Sequence, residues 1–225
     1  MAYINGNYTC FTPALSLGQV DAKLQTKAAP LLIEGETVIQ PDAGFDALSE
    51  VTVSGVYYSE KGLLYTKKMR LKTHPTIIGE NLPNLEELII DSFMHDADYL
   101  EGFSGATNVH TITFVNSNCV LENAFAPFDS AETIIFESVG EYFAINIWGD
   151  LMGAFTHVKT FEVFEGWEHD LVLLSAYDLE AESIINIINN LATVDYRTLW
   201  LGSHNIEKVD PEIINNAVNK GWDVM

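Results

Sequence analysis

The sequence predicts an α+β protein: a small N-terminal β module followed by a solenoid of strand repeats with a C-terminal helical cap. Three observations predict it. Between Leu85 and Leu201 one pattern recurs five times, an apolar residue, two variable ones, an apolar residue, one variable, an apolar residue. Ahead of it, short β-favouring runs alternate with turn residues, and behind it two segments carry apolar residues at helical spacing. The expected organisation is residues 1-60 as the β module, 61-80 as a basic strand and linker, and 81-225 as the repeat domain, with the helical cap over 179-225.

In the first module, Asn5-Gly6 stands between the β-favouring residues Tyr3, Ile4, Tyr8 and Thr9 and signals a hairpin. Leu31 to Ile33, Glu36 to Ile39 and Val51 to Val53 read as strands, and Pro41 to Gly44 as a turn. So thin a module buries a low fraction of its surface, and it is expected to be completed by a neighbour or a second copy. Lys61, Lys67, Lys68, Arg70 and Lys72 are five of the eleven basic residues. Lys68, Arg70 and Lys72 alternate as on one face of a strand. They suit either a dock for an acidic surface or an edge strand kept soluble by its charges. Residues 73-84, with Pro75, Gly79 and Pro83, read as a linker.

The five copies are Leu85/Leu88/Ile90, Val109/Ile112/Phe114, Ala131/Ile134/Phe136, Val158/Phe161/Val163 and Tyr196/Leu199/Leu201, with steps of 24, 22, 27 and 38 residues. The first three steps match the roughly 20 to 29 residues of a leucine-rich repeat. Stacked repeats make an extended surface, so a binding or structural role is expected before a catalytic one. Phe103, Phe128 and Phe155 stand at matching places just ahead of strands, as core-filling aromatics would. The outward residues align in three rows: Glu87, Thr111, Thr133, Thr160, Thr198; then Ile89, Thr113, Ile135, Glu162, Trp200; then Asp91, Val115, Glu137, Phe164, Gly202. The threonines predict a ladder of stacked hydroxyls. Ile135, Glu137, Glu162, Phe164 and Trp200 are the candidate contacts for a ligand, because an aromatic with neighbouring acceptors suits sugar or protein. The alternative is a face covered by a neighbouring subunit or by the N-terminal module.

The 38-residue step is explained by an inserted helix, where Ile184, Ile188 and Leu191 recur at i, i+4 and i+7 and Ile185 and Ile187 widen the stripe. A second helix follows, with Asp210 to cap it, Pro211 in its first turn and Gly221 at its exit. With Trp222 behind it, this segment reads as the cap that closes the open end of the solenoid.

Charge is uneven: residues 81-225 hold 24 acidic and 4 basic residues, residues 1-80 hold 8 and 7, and the formal net charge is -21. Such a surface repels phosphate backbones and anionic lipid, so neither nucleic acid nor a membrane is an expected partner. Cys10 and Cys119 are too few for a disulfide framework or a Cys-rich metal site. The start, Met1-Ala-Tyr-Ile-Asn-Gly, lacks the features of a secretion signal, and no 18-residue apolar run occurs, so synthesis in a cytoplasm is expected.

Catalytic motifs are missing: there is no H-E-x-x-H, P-loop, G-x-S-x-G or paired Cys-x-x-Cys. His95 to Asp98 and Glu165 to Asp170 are the densest clusters of ligand-type residues, and in so acidic a chain they read as solvated turns. No enzyme activity, cofactor or metal is expected.

The unit from Gly102 to Phe114 resembles BspA-type leucine-rich repeats, found in bacterial surface proteins and in phage genomes. Glu180 to Leu191, then Arg197 to Ser203, then Lys220-Gly-Trp222, is similar to a terminal repeat-and-cap unit of such proteins. Leu24 to Lys27 with Gly35 to Val53 is similar to a short module of tail-associated and other virion proteins, and the first six residues resemble starts of phage structural proteins. The resemblance implies a virion protein, made in the host cytoplasm, attached to other virion proteins through its N-terminal module and assembled as a homo-oligomer. Its repeats would project outward to recognise a host-surface glycan or protein. A purely structural capsid or tail decoration and a bacterial surface adhesin are the alternatives.

Overall fold

Alternation of period two turns every second residue of an extended segment to one side, and here the repeated pattern does so on strands that pair in parallel. The computed structural model describes residues 3–5, 31–35, 50–58, 66–72, 76–78, 82–91, 106–117, 120–121, 130–140, 144–145 and 155–225. The strands are β1 (Tyr3–Asn5), β2 (Leu31–Gly35), β3 (Glu50–Tyr58), β4 (Lys68–Lys72), β5 (Thr76–Ile78), β6 (Glu87–Asp91) and β7 (Thr111–Val115). There follow β8 (Val120–Leu121), β9 (Thr133–Phe136), β10 (Ala144–Ile145), β11 (Thr160–Val163), β12 (Leu171–Val172), β13 (Arg197–Trp200) and β14 (Trp222–Val224). Among the described residues there are three helices, α1 (Ala181–Asn190), α2 (Ser203–Ile206) and α3 (Pro211–Asn219), all in the C-terminal part. The fold is mixed α+β. Its main sheet has nine parallel strands in the order β1-β2-β3-β4-β6-β7-β9-β11, with β5 also paired to β3. Strands β8 and β10 form a second sheet, and β12-β13-β14 a third.

Inward rows make the core. Met69, Leu88, Ile112, Ile134 and Phe161 stand in register across five strands, and Leu71, Ile90, Phe114, Phe136 and Val163 form the row beside them. All ten are buried, as are the leading residues Leu85, Val109, Ala131 and Val158 of the first four copies. An aromatic column runs through the centre: Phe136 stacks on Phe114 at 4.5 Å between centroids and lies 5.5 Å from Phe161 and 5.2 Å from Trp167. Phe155 is buried edge-on to Phe161, while Phe103 and Phe128 lie outside the described residues. The turn ahead of each strand is tied to the one before. His110 N–H donates to Glu86 O, Glu132 N–H to His110 O, and Lys159 N–H to Glu132 O, each at 2.9 Å.

The N-terminal strands are part of this same ladder, which runs on across residue 60. Tyr3–Asn5, expected to open a hairpin, pairs in parallel with Leu31–Gly35, a partner distant in sequence. The basic strand β4 is an inner strand between β3 and β6, so the edge-strand reading of Lys68, Arg70 and Lys72 is corrected.

The far end of the ladder is closed by a helix. After β11 the place of a next strand is taken by α1: Glu180 N–H donates to Lys159 O at 2.8 Å, continuing the series of tied turns. The Ser183 hydroxyl then accepts from Phe161 N–H at 2.8 Å and donates to Phe161 O at 2.9 Å, and Asn190 Nδ2 donates to Val163 O at 2.7 Å. Side chains thus supply what a further strand's backbone would, and an unpaired edge is a template for adding foreign chains. Ile184, Ile187, Ile188 and Leu191 bury the inner face of α1, and Ile185 is only half-buried. Lys220 Nζ donates to Ile188, Asn189 and Leu191 carbonyls at 3.0, 2.9 and 2.9 Å, satisfying orphan acceptors and placing a cation at the negative end of the helix.

The helical cap was expected over 179-225; within that stretch the contacts give the edge of β11 to α1. Helix α3 has the expected start, with Asp210 Oδ1 accepting from Glu212 N–H at 2.8 Å and Pro211 in the first turn. We expect Ser183→Ala to cost about 2–3 kcal/mol, since it strands a buried donor and acceptor of Phe161. Urea denaturation checks this, and a loss below about 0.5 kcal/mol would show that water replaces the hydroxyl.

Candidate functional site

Because neighbouring strands lie about 4.8 Å apart, residues in register on the outward face form regular rows. The first row is Lys68, Glu87, Thr111, Thr133 and Thr160, so three threonines are in register. The second is Arg70, Ile89, Thr113, Ile135 and Glu162. Lys72, Asp91 and Val115 begin the third.

The face changes character along the sheet. At one end its charges are paired within the chain: Lys68 Nζ lies 2.7 Å from Glu87 Oε2, and Arg70 Nη1 donates to Asp91 Oδ2 at 2.7 Å. The acidic partner that Lys68 and Arg70 were expected to seek is therefore met by the next strand. Asp91 and Ile89, both outward by alternation, are buried. Arg70 stands beside Ile89 in register, and its guanidinium reaches on to Asp91. The middle, with Thr111, Thr113, Thr133 and Ile135, is neutral and half-exposed. At the β11 end Glu137 and Glu162 are exposed, and among the described residues neither is in an ion pair.

Four candidate residues are brought together here. Ile135 and Glu162 are in register, and Glu137 and Phe164 each follow the end of their strands. Glu137 is held in place by its N–H donating to Phe114 O at 2.9 Å. The turns beside it are joined by Asn116 N–H donating to Ser138 Oγ at 2.8 Å. Phe164 is half-buried and packs edge-on against Trp167 at 5.4 Å, so it offers a limited apolar area. Trp200 is not part of this group. Strand β13 pairs with β12 and β14, so Trp200 stands beside Val172 and Thr198 beside Asp223. The expected alignment of the fifth copy with the outward rows is corrected, because α1 occupies the position next to β11.

The fifth copy also departs from its pattern at its first position. Leu199 and Leu201 are buried, but Tyr196 is 65% exposed. It lines an open groove of about 490 Å³ together with Glu168, Thr193, Val194, Asp195 and Arg197. Sequence reasoning missed this groove.

The acidic run Glu165 to Asp170 is a turn wired to β13. Asp170 Oδ1 accepts from Thr198 N–H and Glu168 O from Arg197 Nε, both at 2.7 Å, and His169 O accepts from Trp167 Nε1 at 2.6 Å. Among the described residues no three His, Cys, Asp or Glu side chains converge as a metal requires, and no helix is long and apolar enough to cross a membrane. His95 to Asp98 lies outside the described residues.

Burial lowers the His169 pKa from 6.5; Glu168 opposes the shift, Arg197 reinforces it and Asp170 opposes it. The unfolded chain therefore binds more protons in the window just below pH 6.5, and stability rises with pH through that window. The contribution is complete above the unfolded value and lost as pH falls. We expect the melting temperature of wild type minus that of His169→Gln to be smaller at pH 5 than at pH 7.5. A difference that does not change with pH would refute the shift.

Comparison of the chain with protein-family models, with curated proteins and with solved structures gives no match.

Proposed function

We propose that this chain is a non-catalytic phage virion protein of the BspA-type leucine-rich-repeat kind, displayed on the particle to recognise a host-surface glycan or protein. In this reading the ladder is a leucine-rich-repeat solenoid, attached to other virion proteins through residues 1-60 and carried as a homo-oligomer. The observation that carries the recognition role is the outward face at β9 and β11, where Glu137 and Glu162, exposed and in no ion pair among the described residues, accompany Ile135 and Phe164. Such a patch offers acceptors and an apolar contact together, as a hydroxyl-rich or cationic ligand requires. Paired charges at the β4 end leave little there to bind with. The virion assignment is supported by the sequence resemblance at both ends of the chain.

The test is peptide mass spectrometry of purified particles with immunogold labelling against residues 81-225. Stoichiometric presence, with label outside the particle, is expected, and absence from particles overturns the assignment. Full-length protein should bind host cells, and Glu162→Lys should weaken that binding at least tenfold, about 1.4 kcal/mol. A displayed protein that binds no host cell would be a decoration protein instead.

A further inference from the structure

We propose that the groove at Glu168, Thr193, Val194, Asp195, Tyr196 and Arg197 is a binding site for an uncharged sugar ring. Its volume, about 490 Å³, falls within the roughly 300–1,000 Å³ of small-ligand sites. The groove presents a flat aromatic in the open, because Tyr196 is exposed where the repeated pattern places a core residue. A tyrosine ring offers an apolar face to the C–H groups of a pyranose and keeps a polar tip for water. Glu168, Asp195 and Thr193 line the same groove, and side chains of these types can accept from sugar hydroxyls. Arg197 adds donors: its Nε is committed to Glu168 O at 2.7 Å, and a guanidinium carries five N–H groups.

Hydrogen bonds hold the backbone of the walls before any ligand arrives. Arg197 pairs with Trp222 in the β13–β14 ladder, Thr198 N–H is fixed by Asp170, and Val194 N–H donates to Lys220 O at 2.8 Å. The Tyr196 hydroxyl reaches Asp223 Oδ2 at 3.4 Å, which steadies the ring. Preorganised side chains lose less entropy on binding. Charge selects the ligand class, because the groove is lined by two acidic residues and one basic one and the chain carries a net charge of -21, which repels anionic sugars.

None of the lining residues belongs to the rows shared by β9 and β11, so this site stands or falls apart from the face bearing Glu162. The experiment is saturation-transfer NMR on the full chain with maltose, cellobiose and mannobiose as neutral probes and sialyllactose as the anionic one. At least one neutral disaccharide should show transfer, which Tyr196→Ala should reduce at least tenfold and Tyr196→Phe should retain. If Tyr196→Ala does not fold, Glu168→Ala takes its place, since it removes the side-chain acceptors yet keeps the backbone carbonyl that Arg197 uses, and the same loss is expected. No transfer to any neutral probe, preference for sialyllactose, or transfer unchanged in these variants overturns the proposal.

Discussion

Replacing Gly221 with alanine is expected to cost at least about 3–4 kcal/mol and to open the C-terminal sheet. Gly221 has φ +90°, and a Cβ there would sit 1.9 Å from Val194 O. The left-handed backbone alone costs a side chain about 1–2 kcal/mol. The overlap is worse, because its partner is a backbone carbonyl that cannot rotate away. Relief requires pulling Lys220–Trp222 from Val194, which breaks the 2.8 Å bond from Val194 N–H to Lys220 O and disturbs the Trp222 side chain that donates to Ala192 O at 2.9 Å. Gly166 is the matched control, with φ +86° and nothing within 4 Å of an added Cβ. Gly166→Ala should therefore cost only the backbone strain, about 1–2 kcal/mol. Urea denaturation of both variants decides it: equal losses would mean that the close approach to Val194 is not real.

Phe136→Ala should cost about 3–5 kcal/mol, the range for emptying a buried aromatic position. Phe136 is 2% exposed and touches Phe114 face to face, Phe161 at a tilt and Trp167 across the core. Three rings lose a partner at once, and each is held by a strand or turn that limits collapse into the space. Phe136→Leu should cost less, about 1–1.5 kcal/mol, because it keeps most of the volume. Chemical denaturation measures both, and near-ultraviolet circular dichroism should lose intensity from the column. A loss below about 1.5 kcal/mol for alanine would show that the column repacks and contributes less than its geometry implies.

These expected losses fall on different parts of what sequence reading reached. Phe136 was legible as an inward residue from its pattern alone, and the partners Phe114 and Phe161 followed from the spacing of the copies. Gly221 was legible as a helix exit, but its contact with Val194 was not, because the two residues meet only when the C-terminal chain returns alongside the segment after α1. Ser183 carried no sequence signal, since a serine in a helix usually faces water or its own backbone. The basic strand was legible as a strand and as charged. That its charges are met by Glu87 and Asp91 depended on the strand next to it.

By itself the sequence determined the mixed α+β class, the inward rows from Leu88 to Phe161 and from Ile90 to Phe136, the in-register threonines, and the start of α3 at Asp210-Pro211. Each of these is set by local geometry: period-two alternation, a fixed step between copies, or a side chain capping its own helix. Only the tertiary structure decided that β1 pairs with β2, that β4 lies inside the sheet, that α1 rather than a further strand ends the ladder, and that Trp200 leaves the outward face while Tyr196 comes to the surface. The physical reason is that a strand's own residues specify which side it buries but not which neighbour completes its backbone hydrogen bonds. At β11 that neighbour is supplied by Ser183 and Asn190.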